Sequence, residues 1–387
     1  MTDNVDVTPA QGTIRATIAT DDIAGVHYPI YKLSWGVSGT QTPVSLANPL
    51  PVKDIHPDAT LAIAEGEIAG HSQINKFGRV GPIDIVDLPA DVVNGVTGLY
   101  VPPTAARTHQ IKSTSVQDIG VVRSSGTITT TSTNSTTVID SAATFITDSV
   151  AVGDPFLNDT AFDHSCVESI VSETELTLVG YHDGQVSTSG DAYRVISRTG
   201  TGTAVAHIKK GIGSDGTFAG EFILMNGTTN VPTTKTYWRI NRMHADGQGS
   251  NDINVGTITA TADTDATVTA TISIGVGQTQ MAFDTVPRGS IGYITNYYAS
   301  IGRQSKTSGA MADYTIYFRK FITANGTGKI NEHDMSVAVD GSSRSQHVFN
   351  PYKVVKELTD VWITVTGQSD DAVYSSAGFD MIQVLQT

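Results

Sequence analysis

GIGSDGTFAGEFILM, residues 211–225, meets the spacing of a dinucleotide-binding fingerprint, and what surrounds it decides against that reading. The fingerprint needs a strand before it and a helix after it, so that a pyrophosphate meets a helix N-terminus. Here the glycines run directly into TFAGEFILM at 217–225, a stretch of strand character. Gly213 to Gly216 is therefore predicted to be a hairpin turn, and RTGTGT at 198–203 a second turn or a domain junction.

The same pattern extends outward. From about residue 100 onward, Thr, Val and Ile alternate with polar partners and are broken by Gly, Asn and Asp about every ten residues, the cadence of a sandwich or barrel. YTIYFRKF at 314–321 places Tyr314, Ile316 and Phe318 on one face of a strand, and Tyr317 and Arg319 on the other. VVKELTDVWITVTG at 354–367 and AGFDMIQVL at 377–385 read as paired strands closing a jelly-roll-like sandwich. Helix signals are few. The best is DATLAIAEGEIAG at 58–70, weakened by Gly66.

Residues 121–197 read as a small all-β module of five or six strands, including Val138-Ile139 and Glu175–Leu178, with a Val-Gly-Asp corner at 152–154. The Thr/Ser tract at 127–137 is assigned to strand rather than linker, because Thr favours strands and the tract flows into an apolar run. At the N-terminus, TIATDDIAGVHYPIYKLSWGVSGTQTPVSLANPLPV (17–52) holds a strand-like alternation of Val26, Tyr28, Ile30 and Leu33, then a proline-rich exit. It reads as a docking segment, ordered by strand addition or groove docking on another subunit through Val26, His27, Tyr28, Pro29, Tyr31, Trp35, Pro49, Leu50 and Pro51. The expected fold class is mainly β: a β-sandwich with jelly-roll character from 53–120 plus 198–387, an inserted small all-β domain at 121–197, and an extended N-terminal arm at 1–52.

Composition narrows the function. The 387 residues carry a formal net charge of -14, and the longest basic run is Lys209-Lys210, so no direct nucleic-acid grip is expected. Charged residues are 16% of the chain, below the roughly 25% usual for soluble domains, which suits a subunit lying against neighbours. The single Cys166 excludes an internal disulfide. There is no signal-like leader and no apolar run of about 18 residues, so neither secretion by a signal peptide nor membrane insertion is expected.

Several stretches resemble one family. INKFGRVGPIDIVDLPADVVNGVTGLY at 74–100, the run from Gly200 to Met243, GSNDINVGTITATA at 249–262 and the run from Ile272 to Gly302 are similar to successive parts of virion structural proteins of tailed bacteriophages, with the N-terminal segment matching separately. In that family the part ending at Asp118-Ile119-Gly120 runs straight into the counterpart of 200–203, which makes 121–197 an insertion. The chain departs from the pattern at Val80-Gly81-Pro82, at Val93 and at Pro287–Ser290, which weakens transfer of any specific surface contact. The resemblance implies a non-enzymatic virion component contacting capsid or tail subunits. Particle symmetry suggests a homo-oligomer, with a trimer favoured. The rival expectations are a fibre or spike that binds a host-surface glycan or protein, with Tyr297, Tyr317 and Arg319 as recognition residues, and a glycan-cleaving spike.

Chemical motifs are sparse. No GxSxG or HExxH occurs, no cofactor is expected, and no catalytic or metal residue is assigned. His164 and Cys166 share a strand face as potential soft ligands, but a third and fourth ligand are not identifiable from sequence. Glu332-His333-Asp334 is read as a solvated loop. Asp246, Asp252 and Asn254, or Asp263 and Asp265, offer hard oxygens for calcium without EF-hand spacing.

Overall fold

The structure, a computed structural model, describes residues 71–387 except 84–89, 97, 103, 130–135, 181–186, 199, 250, 252, 304–309, 321–327, 329, 340–341, 368–372 and 387, together with short strands within 1–70. The chain divides into two compact units, Met1–Ala62 and Ile63–Thr387. In the first, Asn4–Val7, Ala16–Ile23 and Val26–Ile30 form an antiparallel meander, and Ser34–Trp35 pairs with Thr42–Pro43. The expected extended arm is thus paired with itself over these strands. Val26 to Pro29 lie in its third strand and Trp35 in the small ladder, while Tyr31, Pro49, Leu50, Pro51 and the helix expected at 58–70 lie outside the described residues.

In the second unit the described residues contain no helix, and every sheet is antiparallel. One four-stranded sheet has the order Ser342–Val355, Ser290–Arg303, Val373–Leu385, His71–Ile83. It packs against a second sheet ordered Phe283–Val286, Thr359–Gly367, Ala310–Lys320, Ile330–Val339, with Ala90–Asp91 added beside Thr359–Gly367. Ile294, Tyr297, Phe379 and Met381 of the first meet Tyr314, Ile316, Val361 and Ile363 of the second in one buried core. The alternation read from 314–321 accounts for its inward set.

The two C-terminal strands do not pair with each other. Thr359–Gly367 is held between Phe283–Val286 and Ala310–Lys320, whereas Val373–Leu385 lies in the opposite sheet. The reason is burial on both faces. Val361, Ile363 and Val365 enter the first core, and Trp362 enters a second one behind the sheet, so this strand has to be central.

That second core is closed by the sheet Phe218–Leu224, Thr203–Gly213, Tyr237–Gln248 and by the sheet Val231–Pro232, His109–Ser113, Ile258–Ala262, Val268–Ile272. The 211–216 stretch is the hairpin turn expected, with the Gly213 N–H donating to Thr217 O at 2.9 Å and Gly216 at φ 84°. A polar thread crosses the layers: the Lys76 Nζ donates to Asn241 O at 2.9 Å and lies 3.5 Å from Asp284, whose Oδ1 accepts from Asn241 Nδ2 at 2.7 Å. Nearby, Arg239 pairs with Asp360 at 2.9 Å, both buried. Each charge has its counter-charge, as burial demands.

Residues 121–197 build a sheet of their own, ordered Thr137–Ile139, Glu175–Leu178, Asp163–Ile170, Pro155–Asn158, Ala192–Ser197, Val121–Thr127. Its core draws on Ile128, Val138, Phe145, Phe156, Val167, Leu176, Tyr193 and Val195, with Phe156 stacked on Tyr193 at 5.2 Å. The first and last strands are neighbours, Val121 opposite Ser197, so the chain leaves this module where it came in.

Candidate functional site

The module meets the scaffold along a seam. Leu157 and Ile196 pack with Ala204, Val205 and Phe222 in a separate apolar cluster, and Arg194 reaches across to Phe222 O at 3.2 Å while also pairing with Asp159. Beside this cluster, three ligand-type side chains converge: His164, His207 and Asp246, whose ligand atoms all lie within 4.8 Å of one another.

Sheet register explains two of them. Val205 stands opposite Asp246 and His207 opposite His244, so His207 and Asp246 are diagonal neighbours on one face. The carboxylate can only accept, so the His207 Nδ1–H donates to Asp246 Oδ2, at 3.0 Å. The third comes from the module: His164, on Asp163–Ile170, brings its Nδ1 to 4.0 Å from the same oxygen. Side-chain exposures of 20%, 2% and 10% for His164, His207 and Asp246 make His164 the open edge of an otherwise buried group. There it borders a cleft of about 320 Å³, also lined by Cys166, Arg198 and Gly247.

Burial pushes the Asp246 carboxyl up, but the hydrogen bond from His207 and the surrounding imidazoles outweigh it and hold it below its usual value. His244, 6.4 Å from the His207 ring, is pushed down to about 3 by burial and is neutral at ordinary pH. Two imidazoles and one carboxylate can bind a cation, relay a proton or simply pair across the seam. Sequence spacing does not bring this set together: His207 and Asp246 are 39 residues apart, and His164 lies on another sheet. The one legible signal was a histidine inside the apolar strand AVAHI.

The other sequence candidates fall elsewhere. Tyr297 is not a surface residue: it is fully buried, its hydroxyl 2.6 Å from His333 Nδ1 and its ring against His347 and Phe349. Of the adjacent pair Tyr297-Tyr298, strand alternation sends one inward. Tyr317 stacks on Trp362 at 5.5 Å and packs against the second core, because both faces of its sheet are covered. The side chain of Arg319 lies outside the described residues.

Glu332-His333-Asp334 is strand, not loop. His333 stacks on His347 at 3.8 Å, Glu332 pairs with Lys353, and Asp334 accepts from Asn331 Nδ2 at 2.7 Å. The calcium candidates are engaged within the protein. Asn254 is buried and ties its own loop through Gly256 O, Ser273 O and the Gly277 N–H. Asp263 accepts from Gln110 Nε2 at 2.9 Å, and Asp265 from the Tyr100 hydroxyl at 2.8 Å. Asp252 is outside the described residues.

No protein-family model matches the chain, and no curated protein matches it in sequence.

Proposed function

We propose that this chain is a non-enzymatic structural subunit of a tailed-phage virion, a layered β scaffold that docks through its N-terminal unit and carries the 121–197 module outward. The observation that supports it most is the modular layout. A module with its own sheet and core enters and leaves through adjacent strands, on a scaffold whose sheets bury two further cores, while residues 1–62 form a separate unit. On this reading, attachment, support and display fall to different stretches of chain. Homo-oligomerisation, with a trimer favoured, belongs to the same reading.

A second reading, recognition of a host-surface glycan or protein, draws on a cleft of about 600 Å³ lined by Arg79, Ser300, Arg344, Tyr374 and Ser376. An aromatic ring, hydroxyls and two guanidinium groups suit an acidic sugar. Immunogold labelling of purified particles tests the first reading, together with a chain lacking residues 1–62. The truncated chain is expected to fold and to stay out of particles. Failure to find the full chain in particles, or undiminished incorporation of the truncated one, overturns it. Glycan-array binding that is lost on Arg344→Ala would favour the second.

A further inference from the structure

We propose that His164, His207 and Asp246 bind one divalent transition-metal ion of the zinc class, and that the ion staples the 121–197 module to the scaffold. The donor set selects the metal. Imidazole suits zinc and its neighbours, whereas calcium and magnesium need a cage of oxygens, and Asp246 is the one carboxylate in the group.

The spacing fits as well. Ligands about 2.0–2.1 Å from a tetrahedral zinc are about 3.4 Å from one another. The two Nδ1-to-Oδ2 separations here, 3.0 and 4.0 Å, bracket that value, and with all three ligand atoms within 4.8 Å of one another it is His164 that has to move inward to complete the triangle. At 4.0 Å the His164 Nδ1 is too far from Asp246 Oδ2 for a hydrogen bond, so no direct bond between them has to be broken for an ion to enter.

Binding needs the lone pair of His207 Nδ1, so the neutral ring changes tautomer: the Nδ1 proton given to Asp246 is released to solvent, one is taken up on Nε2, and the ring and the carboxylate both turn to the ion. The fourth position faces the cleft and is filled by water. Cys166 lines the same cleft but stands outside the group whose ligand atoms converge.

The consequence is mechanical. Two ligands belong to paired scaffold strands and one to the module, so the ion crosses the seam beside the apolar cluster of Leu157, Ile196 and Phe222. A covalent junction at one corner lets a module swing about its stem, and a second fixed point stops it. Phe222, its ring 4.1 Å from that of His207, walls the scaffold side of the site.

The test uses the full chain, stripped of metal with a chelator and then titrated with zinc. Mass-spectrometric metal analysis after dialysis is expected to give one zinc per chain, and hydrogen exchange in 153–166 and 245–247 to slow on zinc addition. His164→Ala and, separately, Asp246→Asn are expected to weaken zinc by more than the roughly 10–100-fold typical of losing a supporting contact, with the exchange response gone. Circular dichroism identifies whichever variant keeps its fold. Sub-stoichiometric zinc in the wild-type chain, or retention unchanged in a folded variant, overturns the proposal. Zinc binding that leaves exchange along the seam unaltered overturns the staple.

Discussion

The Asp118 carboxylate accepts a hydrogen bond from the backbone N–H of Thr203 at 2.8 Å, joining two points 85 residues apart in sequence. The same side chain, fully buried, also accepts from the N–H groups of Val255 and Gly256 and from the Ser113 hydroxyl. One carboxylate therefore closes the stem from which the module springs. Gly202 follows from it: a Cβ there would collide with Asp118 Oδ1. Asp118→Asn turns one acceptor into a donor facing N–H groups and should destabilise the chain by about 1–3 kcal/mol. Urea unfolding would measure this, and an unchanged midpoint would remove Asp118 from its place at the stem.

Excising 121–197 and bridging the gap with a short Gly-Ser linker should leave a folded scaffold. Gly120 already donates to Met225 O, and Gly202 to Gln117 O, so the cut ends are held side by side by the scaffold. Losing Leu157 and Ile196 from the seam removes roughly 1.5–3 kcal/mol of burial for each side chain, partly recovered as Phe222 and Val205 repack. A single cooperative melt is expected by calorimetry. A molten, non-cooperative product would mean that the module is part of the scaffold's core.

Gly78 leaves no room for a side chain. A Cβ added there would run into Val92 O and come within 2.6 Å of Ala282 N, the two ends of a 2.9 Å backbone hydrogen bond. Backbone on both sides cannot yield as a side chain can. Gly78→Ala is expected to cost about 1–3 kcal/mol or more, whereas Gly302→Ala, which meets open space, should lie within about 0.5 kcal/mol of wild type. Thermal midpoints of the pair decide it.

What was legible in the sequence was what local pattern controls. The turn at 213–216, the alternation of Tyr314, Ile316 and Phe318, and the strands Thr137–Ile139 and Glu175–Leu178 all follow from period and turn chemistry. Partners of strands were not legible. Thr359–Gly367 and Val373–Leu385 are each apolar enough to be neighbours, and nothing local says that one needs cover on both faces. Exposure failed for the same reason: Tyr317 points away from the first core, and only the stacking of a second layer turns that outward face into an inward one. The His164–His207–Asp246 group depends on long-range register and on the docking of two sheets, which spacing along the chain does not encode.

Lys76 should give the scaffold a stability that climbs in alkali. Burial, only partly offset by Asp284, pushes its ammonium down to about 7 from 10.5. Between those pH values the unfolded chain holds the proton and the folded chain does not, so stability rises with pH across that window. In Lys76→Met the rise should be missing, because no group at that position changes its charge between pH 7 and 10.5. Urea midpoints between pH 7 and 10 compare the two. Parallel pH profiles would show that Lys76 stays charged throughout.

His109 should make the opposite flank sensitive to acid. Burial between Tyr100 and Tyr237, with ring centroids 6.2 and 6.1 Å away, pushes its imidazole down to about 4 from 6.5, and the nearby carboxylates Asp263 and Asp265 only partly resist. Its Nδ1–H donates to Arg107 O at 3.1 Å, which the neutral ring does well. At pH above 6.5 both folded and unfolded chains carry the neutral ring, and the full stability is present. As pH falls from 6.5 toward 4 the unfolded chain takes up the proton first, so stability drops, by about 3 kcal/mol once both forms are charged. His109→Gln retains a donor for Arg107 and does not titrate, so its stability should vary less over the same interval. Denaturation at pH 7, 5.5 and 4 measures the difference, and a wild-type loss no larger than that of His109→Gln would show that this ring is not what acid attacks.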